Sequence, residues 1–376
     1  MSGSRQQCHH NPAIITGRKV TEQEYVKEKN VIEKVYEPER LNRAWQQVRS
    51  NAGAAGIDRM SVETFENRIW ELGPKITRKL KQGTYRFKPA RRVFIPKEGT
   101  SKTRPLGIPV VMDRIVSQSI NTVFEEIFAP DFMDSNYGFR PGRSQHMAIR
   151  HVQELVKEGR RWCVSVDLKS FFDEIPHDLI LKLIRRKIAD ERLVTLVARA
   201  LKAGVIENGE FQKTPKGCPQ GSPLSPILSN IVLNELDHEL EKRGLKYCRW
   251  ADDFVILVRT ERSAQRVLAG VMEFLEETLG LPVNRDKSAT VKVTRVTFLG
   301  FSFSYYGKVR ISDKAMKRLK DRVKNLTHRN NPFSMFQIIM RLNEYLRGWV
   351  HYFKIQEFAS AFEKLDRWIR IRLRSM

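Results

Sequence analysis

Two adjacent aspartates, Asp252 and Asp253, stand between the apolar runs YCRW and FVILV. Two neighbouring charges at the bend of an apolar hairpin call for a counter-ion, which favours a metal. Alone, an Asp-Asp turn is better read as a hydrogen-bonded loop. A third carboxylate, Asp167, ends the run WCVSVDL, which reads as a buried strand. A strand end and a hairpin bend can meet at one edge of a single sheet. Three converging carboxylates suit phosphoryl transfer to a growing strand. That reaction needs two divalent metals ~3.5–4 Å apart, one activating the 3′-hydroxyl and one carrying the triphosphate.

The elements that must position these groups are legible in outline. Residues 38–50 and 62–82 read as helices, the first stopped by the glycines of NAGAAG and the second started by Ser61 as N-cap. From Tyr85 to Pro109 the pattern turns to short β-rich runs, RRVFIPK and TRPLGIP, joined by a Lys/Gly/Ser loop, a finger-like hairpin with a basic tip. Helices are expected at 112–128, at 144–158 and after Pro176, with the WCVSVDL strand before the last. VIENGEFQKT carries an Asn-Gly turn between strand-like arms, and QGSPLSPILSNIVLNELDHEL reads as a helix entered through prolines. The hairpin KYCRWADDFVILV, a helix at 262–279, and the strands TRVTFLGFSF and KVRIS follow, then helices to the C-terminus.

Composition narrows the class of molecule. A chain of 376 residues is long for one compact domain, and two or three units are expected. Hydrophobic residues make up 41%, yet no uncharged run approaches the ~20 apolar residues of a spanning helix, so no membrane role is expected. The 67 basic residues outnumber 43 acidic ones, a net charge of +24 that suits a phosphate-rich partner; the plainer reading is a basic but ordinary enzyme. Cys8, Cys163, Cys218 and Cys248 lack a paired spacing, which argues against a disulfide framework or zinc ribbon and fits a reducing compartment. Cys8-His9-His10 reads as incidental. The N-terminus has no apolar core for a secretory signal, and although the absence of acids before Glu22 leaves an organellar presequence open, bacterial cytoplasm is the default. Residues 307–376 hold 17 Lys or Arg against 6 Asp or Glu. Trp349, Tyr352, Phe353 and Trp368 interleave with these arginines, a pattern that fits either a solvated amphipathic bundle or a surface that packs and grips a nucleic-acid backbone. The second is the expectation.

The motifs VSVDLKSFFDEI, GCPQGSPLSPILSNI, YCRWADDFVILV, LPVNRDKS and VTFLGFSF occur in the order of the reverse transcriptase palm motifs. Upstream, GAAGIDRMSVETF, KPARRVFIPK with TRPLGIP, DRIVSQSI and NYGFRPGRSQHMAI resemble the extended fingers of the group II intron reverse transcriptase and maturase family, and YLRGWVHYF resembles its thumb. The resemblance runs over residues 38–376. It implies that Asp167, Asp252 and Asp253 ligate two magnesium ions and that Lys97 and Arg104 contact the nucleoside triphosphate. By the same resemblance Phe172 lies under the sugar and excludes a 2′-hydroxyl, Gln220 lines the nucleotide pocket, and Lys287 stands near the departing pyrophosphate. Phe298, Leu299 and Gly300 match the primer grip. Core packing is the ordinary alternative for Phe172 and for the grip residues, and solvent-exposed surface charge for Lys97 and Arg104. In one departure, Trp250 replaces the usual Tyr before Ala-Asp-Asp, keeping an aromatic surface but losing a hydroxyl.

The implied architecture is an α+β right hand: an N-terminal extension at 1–37, fingers with the start of the palm at 38–160, palm at 161–305, and a helical thumb at 306–376. The implied reaction is RNA-directed DNA synthesis from deoxynucleoside triphosphates. Its partners would be an RNA template of group II intron type, a DNA primer and the cDNA product. As the sequence ends at Met376, soon after the thumb, neither a DNA-binding nor a nuclease domain is expected to follow. Two other readings stay open: a domesticated or defence-associated reverse transcriptase, and an RNA-binding splicing cofactor with little polymerase activity.

Overall fold

A computed structural model describes residues 27–96 and 103–375. Lys97 and the Cys8-His9-His10 cluster lie outside the described residues.

The fold is α+β and is built on two four-stranded sheets. In the first, β1 (Ala90–Pro96) and β2 (Thr103–Ile108) form an antiparallel hairpin. Next to β1 runs β4 (Val205–Glu207), parallel to it, followed by β5 (Glu210–Gln212) in the order β2-β1-β4-β5, where β3 belongs to the second sheet. Asn208 and Gly209, with φ 52° and 88°, make the two-residue turn that the Asn-Gly pair specifies.

The second sheet carries the site. Its order is β6 (Lys246–Trp250), β7 (Asp253–Val258), β3 (Trp162–Val166) and β8 (Ala289–Lys292), antiparallel throughout. Both of its faces are covered at the centre, which is why β3 and β7 read as near-continuous apolar runs. Alternate residues divide strictly between two cores: Val164, Val166, Phe254 and Ile256 enter one, with the helices Val111–Phe128, His177–Lys187 and Ser225–Lys242. Cys163, Cys248, Val255 and Leu257 enter the other, with the Gln145–Lys157 helix and the hairpin of β9 (Phe301–Phe303) and β10 (Val309–Ile311).

Several expected elements differ in detail. The run 62–82 is two helices, Val62–Glu66 and Ile69–Lys81, because Arg68 leaves helical geometry at φ −118°; Ser61 caps the first by accepting from the Thr64 N–H at 3.1 Å. TRVTFLGFSF is strand only at Phe301–Phe303, since Leu299 and Gly300 turn the chain at φ 49° and 80°. The helix Glu191–Leu201 was not read from the sequence; Asp190 caps it by accepting from the Arg192 N–H.

The C-terminal helices Asp313–Leu326, Met335–Phe353 and Ser360–Arg374 share a small core of Leu319, Val323, Leu342, Leu365 and Ile369. Their aromatic residues supply the packing part of the expected surface. Phe353 is buried against Phe301 and Trp349, with ring centroids 4.9 and 4.6 Å apart, and Trp349 and Tyr352 pack half-buried on the same core. Trp368 packs in the helical core. These rings join the helical region to the sheet; the exposed basic residues between them remain facing solvent. No described helix is long and apolar enough to cross a membrane.

Candidate active site

Strand register brings the three carboxylates together. Val166 pairs with Phe254, so the next step of the ladder sets Asp167 opposite Asp253, and Trp250 pairs with Asp253 across a two-residue bend of Ala251 and Asp252. Opposed residues of an antiparallel pair keep their Cβ atoms about 4.5–5.5 Å apart. Asp253 lies on the floor of a cleft, reached by solvent but largely ringed by protein. This desolvation, with Asp252 and Asp167 close by, pushes its carboxyl up to about 7. Burial, then the charge of Asp167, raises Asp252 as well, partly offset by Arg104. Hard carboxylate oxygens short of positive charge are the donor set that a divalent ion satisfies. Among the described residues no three His, Cys, Asp or Glu side chains are already gathered closely enough to hold a metal ion. The Asp167 Oδ2 instead accepts from the Asn284 amide at 3.0 Å and lies 3.5 Å from the Lys287 ammonium.

LPVNRDKS is folded around Asp167. The Asn284 N–H donates to the Asp167 carbonyl at 2.8 Å, and the Ser288 hydroxyl accepts from the Asp167 N–H at 3.1 Å. Lys287 was singled out from the sequence; Asn284 and Ser288 were not, since polar residues in a loop carry no signal of what they hold.

The bend carrying Asp252 is fixed from beneath. Arg249, fully buried, pairs with the fully buried Asp237 and donates to the Asn230 amide oxygen at 3.0 Å and the Ala251 carbonyl at 3.1 Å. Asn230 in turn donates to the Gly138 carbonyl at 2.9 Å. A Cβ at Gly138 would lie 2.1 Å from the Ala251 nitrogen, so only glycine lets the NYGFRPGRS loop approach the bend, where Ala251 has φ 57°. A buried ion pair is weak evidence for stability, and its use here is to hold a left-handed turn in register.

One cleft takes in Arg104, Asp167, Phe172, Gln220, Asp252, Asp253, Lys287 and Leu299. Arg104, exposed on β2, opposes Ile95. Phe172 is half-buried, its ring 5.3 Å from that of Phe171, and its carbonyl accepts from the Cys218 N–H, tying the Gln220 loop to its helix. The Gln220 amide donates to Asp173, a residue missed in the sequence, and its carbonyl accepts from the Gly107 N–H at 2.7 Å. Gly221, at φ 104°, has the Gly107 carbonyl 2.4 Å from where a Cβ would stand, so the finger hairpin docks directly on this loop. Of the grip residues, Phe298 is core and closes a tight turn with Phe301, while Leu299 faces the cleft.

The reverse transcriptase (RNA-dependent DNA polymerase) family model matches residues 95–303, and the group II intron, maturase-specific domain matches residues 316–376. Protein YkfC of Escherichia coli (strain K12) is 36% identical over 322 residues, covering 74% of this chain and 84% of YkfC. Group II intron-encoded protein LtrA of Lactococcus lactis subsp. cremoris is 34% identical over 301 residues, covering 76% of this chain and 49% of LtrA. The chain thus matches about half of LtrA's length. Among solved structures, a Candida albicans telomerase aligns at TM-score 0.49 and 11% identity over 83% of this chain and 63% of that one. Reverse transcriptases as a family use divalent metal ions for catalysis. The polymerase match spans more than half of the sequence and contains all three cleft carboxylates, the maturase match begins just beyond it, and the chain therefore belongs to the group II intron reverse transcriptase and maturase family.

Proposed function

We propose that this chain extends a DNA primer by copying an RNA template of group II intron type, and that it also binds that intron RNA to assist splicing. The carrying observation is that β3 and β7, paired as far as Val166 and Phe254, bring Asp167 and Asp253 to one end of the sheet, on a cleft that also takes in Arg104, Gln220 and Lys287. When bound, two magnesium ions held by Asp167, Asp252 and Asp253 would activate the primer hydroxyl and neutralise the leaving group. Arg104, exposed on β2, takes the triphosphate, and Lys97 is assigned the same role by the family resemblance; cations of this kind suit a multivalent anion. Phe172 supports the sugar and leaves no volume for a 2′-hydroxyl, while Gln220 borders the same pocket. Lys287, held beside Asp167, offsets charge developing on the departing pyrophosphate. Leu299, in the turn between Phe298 and Gly300, bears on the primer end. In this reading the fingers span 38–160, the palm 161–305 and the thumb 306–376, following an N-terminal extension, and the protein works in a bacterial cytoplasm.

A pure splicing cofactor gains nothing from three clustered anions beside RNA. The test is the double variant Asp252→Ala, Asp253→Ala, assayed for cDNA synthesis on an RNA template and for RNA binding. Synthesis is expected to fall by several orders of magnitude, because the residues that hold the metals are gone. Binding should persist or strengthen slightly, as two negative charges leave a phosphate-facing surface. Parental cDNA synthesis by the variant, or none by the parent with any divalent metal, overturns the reading.

A further inference from the structure

The helical C-terminal region meets the cleft through one side chain. The Tyr352 hydroxyl, near the end of the Met335–Phe353 helix, donates to the Leu299 carbonyl at 2.8 Å. Leu299 holds φ 49° and Gly300 φ 80°, a turn that a leucine does not adopt without support. Beside it, Phe353 packs on Gly300, whose added Cβ would come within 3.2 Å of the ring. The backbone of Tyr352 is held in turn: its carbonyl lies 2.7 Å from His146 Nε2, on the Gln145–Lys157 helix. Tyr352 therefore stands where three elements converge, and its phenol ties the Met335–Phe353 helix to the strained turn.

We propose that Tyr352 is a positioning residue for the primer end, which sets the Leu299–Gly300 turn and couples it to the orientation of the helical region. The proposal rests on the reading of Phe298, Leu299 and Gly300 as the primer grip. The phenol touches neither primer nor metal; it acts by fixing the carbonyl of a residue that faces the cleft. If the helical region shifts against the sheet, the hydrogen bond carries that shift to Leu299, so duplex held by the helices and primer held at the cleft stay in register.

The test is Tyr352→Phe in the full chain, which keeps the ring packing on Phe301 and removes only the donor. Primer extension on an RNA template is followed at varied primer and varied deoxynucleotide concentrations, with termination scored at each step and thermal unfolding measured alongside. KM for the primer is expected to rise roughly three- to tenfold, the weight of one hydrogen bond, with more termination per step and with kcat and the deoxynucleotide KM near the parent's. A lower unfolding temperature with an unchanged primer KM and termination frequency makes Tyr352 a packing residue and overturns the proposal. So does a fall in kcat with primer KM unchanged. A parent that makes no cDNA refutes the functional reading itself, an outcome distinct from either.

Discussion

At the scale of single residues, the carboxylates were legible because their neighbours are so apolar. Charge placed inside YCRW and FVILV has few uses other than to meet a counter-charge. Phe172 had no such contrast, as a phenylalanine in a mixed segment is usually core. The structure leaves it half-buried, sharing the cleft with Asp167 and Gln220. A ring in that place acts by volume, so shrinking it should admit the larger sugar. Phe172→Ala is expected to raise incorporation of ribonucleotides relative to deoxynucleotides by at least roughly tenfold, the scale on which a pocket reads one small group. The measurement is the ratio of kcat/KM for matched ribo- and deoxynucleoside triphosphates in primer extension. An unaltered ratio makes Phe172 part of the core and nothing more. Asn284, Ser288 and Asp173 escaped notice for the opposite reason: each is a polar residue in a polar loop, and only the fold reveals that it holds Asp167 or Gln220.

At the scale of elements, periodicity placed the helices 38–50 and 112–128 within a residue or so, since an amphipathic stripe is a local signal. What joins elements was not legible, because it depends on residues far apart in sequence. Asp113 is such a joint. Buried at the start of the Val111–Phe128 helix, its carboxylate accepts from the Tyr85 hydroxyl at 2.7 Å and the Lys88 N–H at 2.8 Å, fastening the entry to the finger hairpin. Desolvation outweighs these hydrogen bonds and pushes the carboxyl up to about 6. In the unfolded chain it would ionise near ~3.9. The folded state thus binds the proton more tightly, so this group's stabilising contribution is full below about pH 4 and is lost as pH rises through about 6. The loss is on the order of 3 kcal/mol at most, for a difference of about two units. Asp113→Asn, which cannot ionise, should lack this slope. Urea unfolding of both proteins between pH 4 and 7 checks it: the parent should lose stability relative to the variant as pH rises, and a constant gap would mean that Asp113 ionises as it does in the open chain.

At the scale of the whole molecule, charge was the first signal and the least specific. It predicted a phosphate-rich partner in line with the family, and drew the aromatic residues of the tail into the same reading, where Trp349, Tyr352 and Phe353 pack the helical region onto the sheet and Trp368 packs among the helices. Aromatic and basic residues alternate there because a helix packed on one side must present its other side to solvent, and sequence alone does not say which partner each side meets. The arginines divide in a similar way. Arg372 donates to the Thr327 carbonyl at 2.9 Å and belongs to the helical core, while Arg341 stacks on Phe333. Arg347, Arg367 and Arg374 are exposed, and Arg370 is also exposed, though paired with Asp366 at 2.8 Å, a surface pair worth little against a polyanion. These four are the residues to remove if the region holds nucleic acid by its backbone. Each phosphate contact releases nearly one condensed counterion, so replacing all four with alanine should flatten the slope of log affinity against log salt by up to about 3.6. The loss should be similar across template sequences, since phosphate contacts carry no sequence information. Arg372→Ala should behave differently, lowering the unfolding temperature with little change in slope. Binding titrations of an RNA–DNA hybrid at several salt concentrations measure both. Equal slopes for the parent and the fourfold variant would place the phosphate contacts elsewhere, with the exposed cations of the Asp313–Leu326 helix the next to remove.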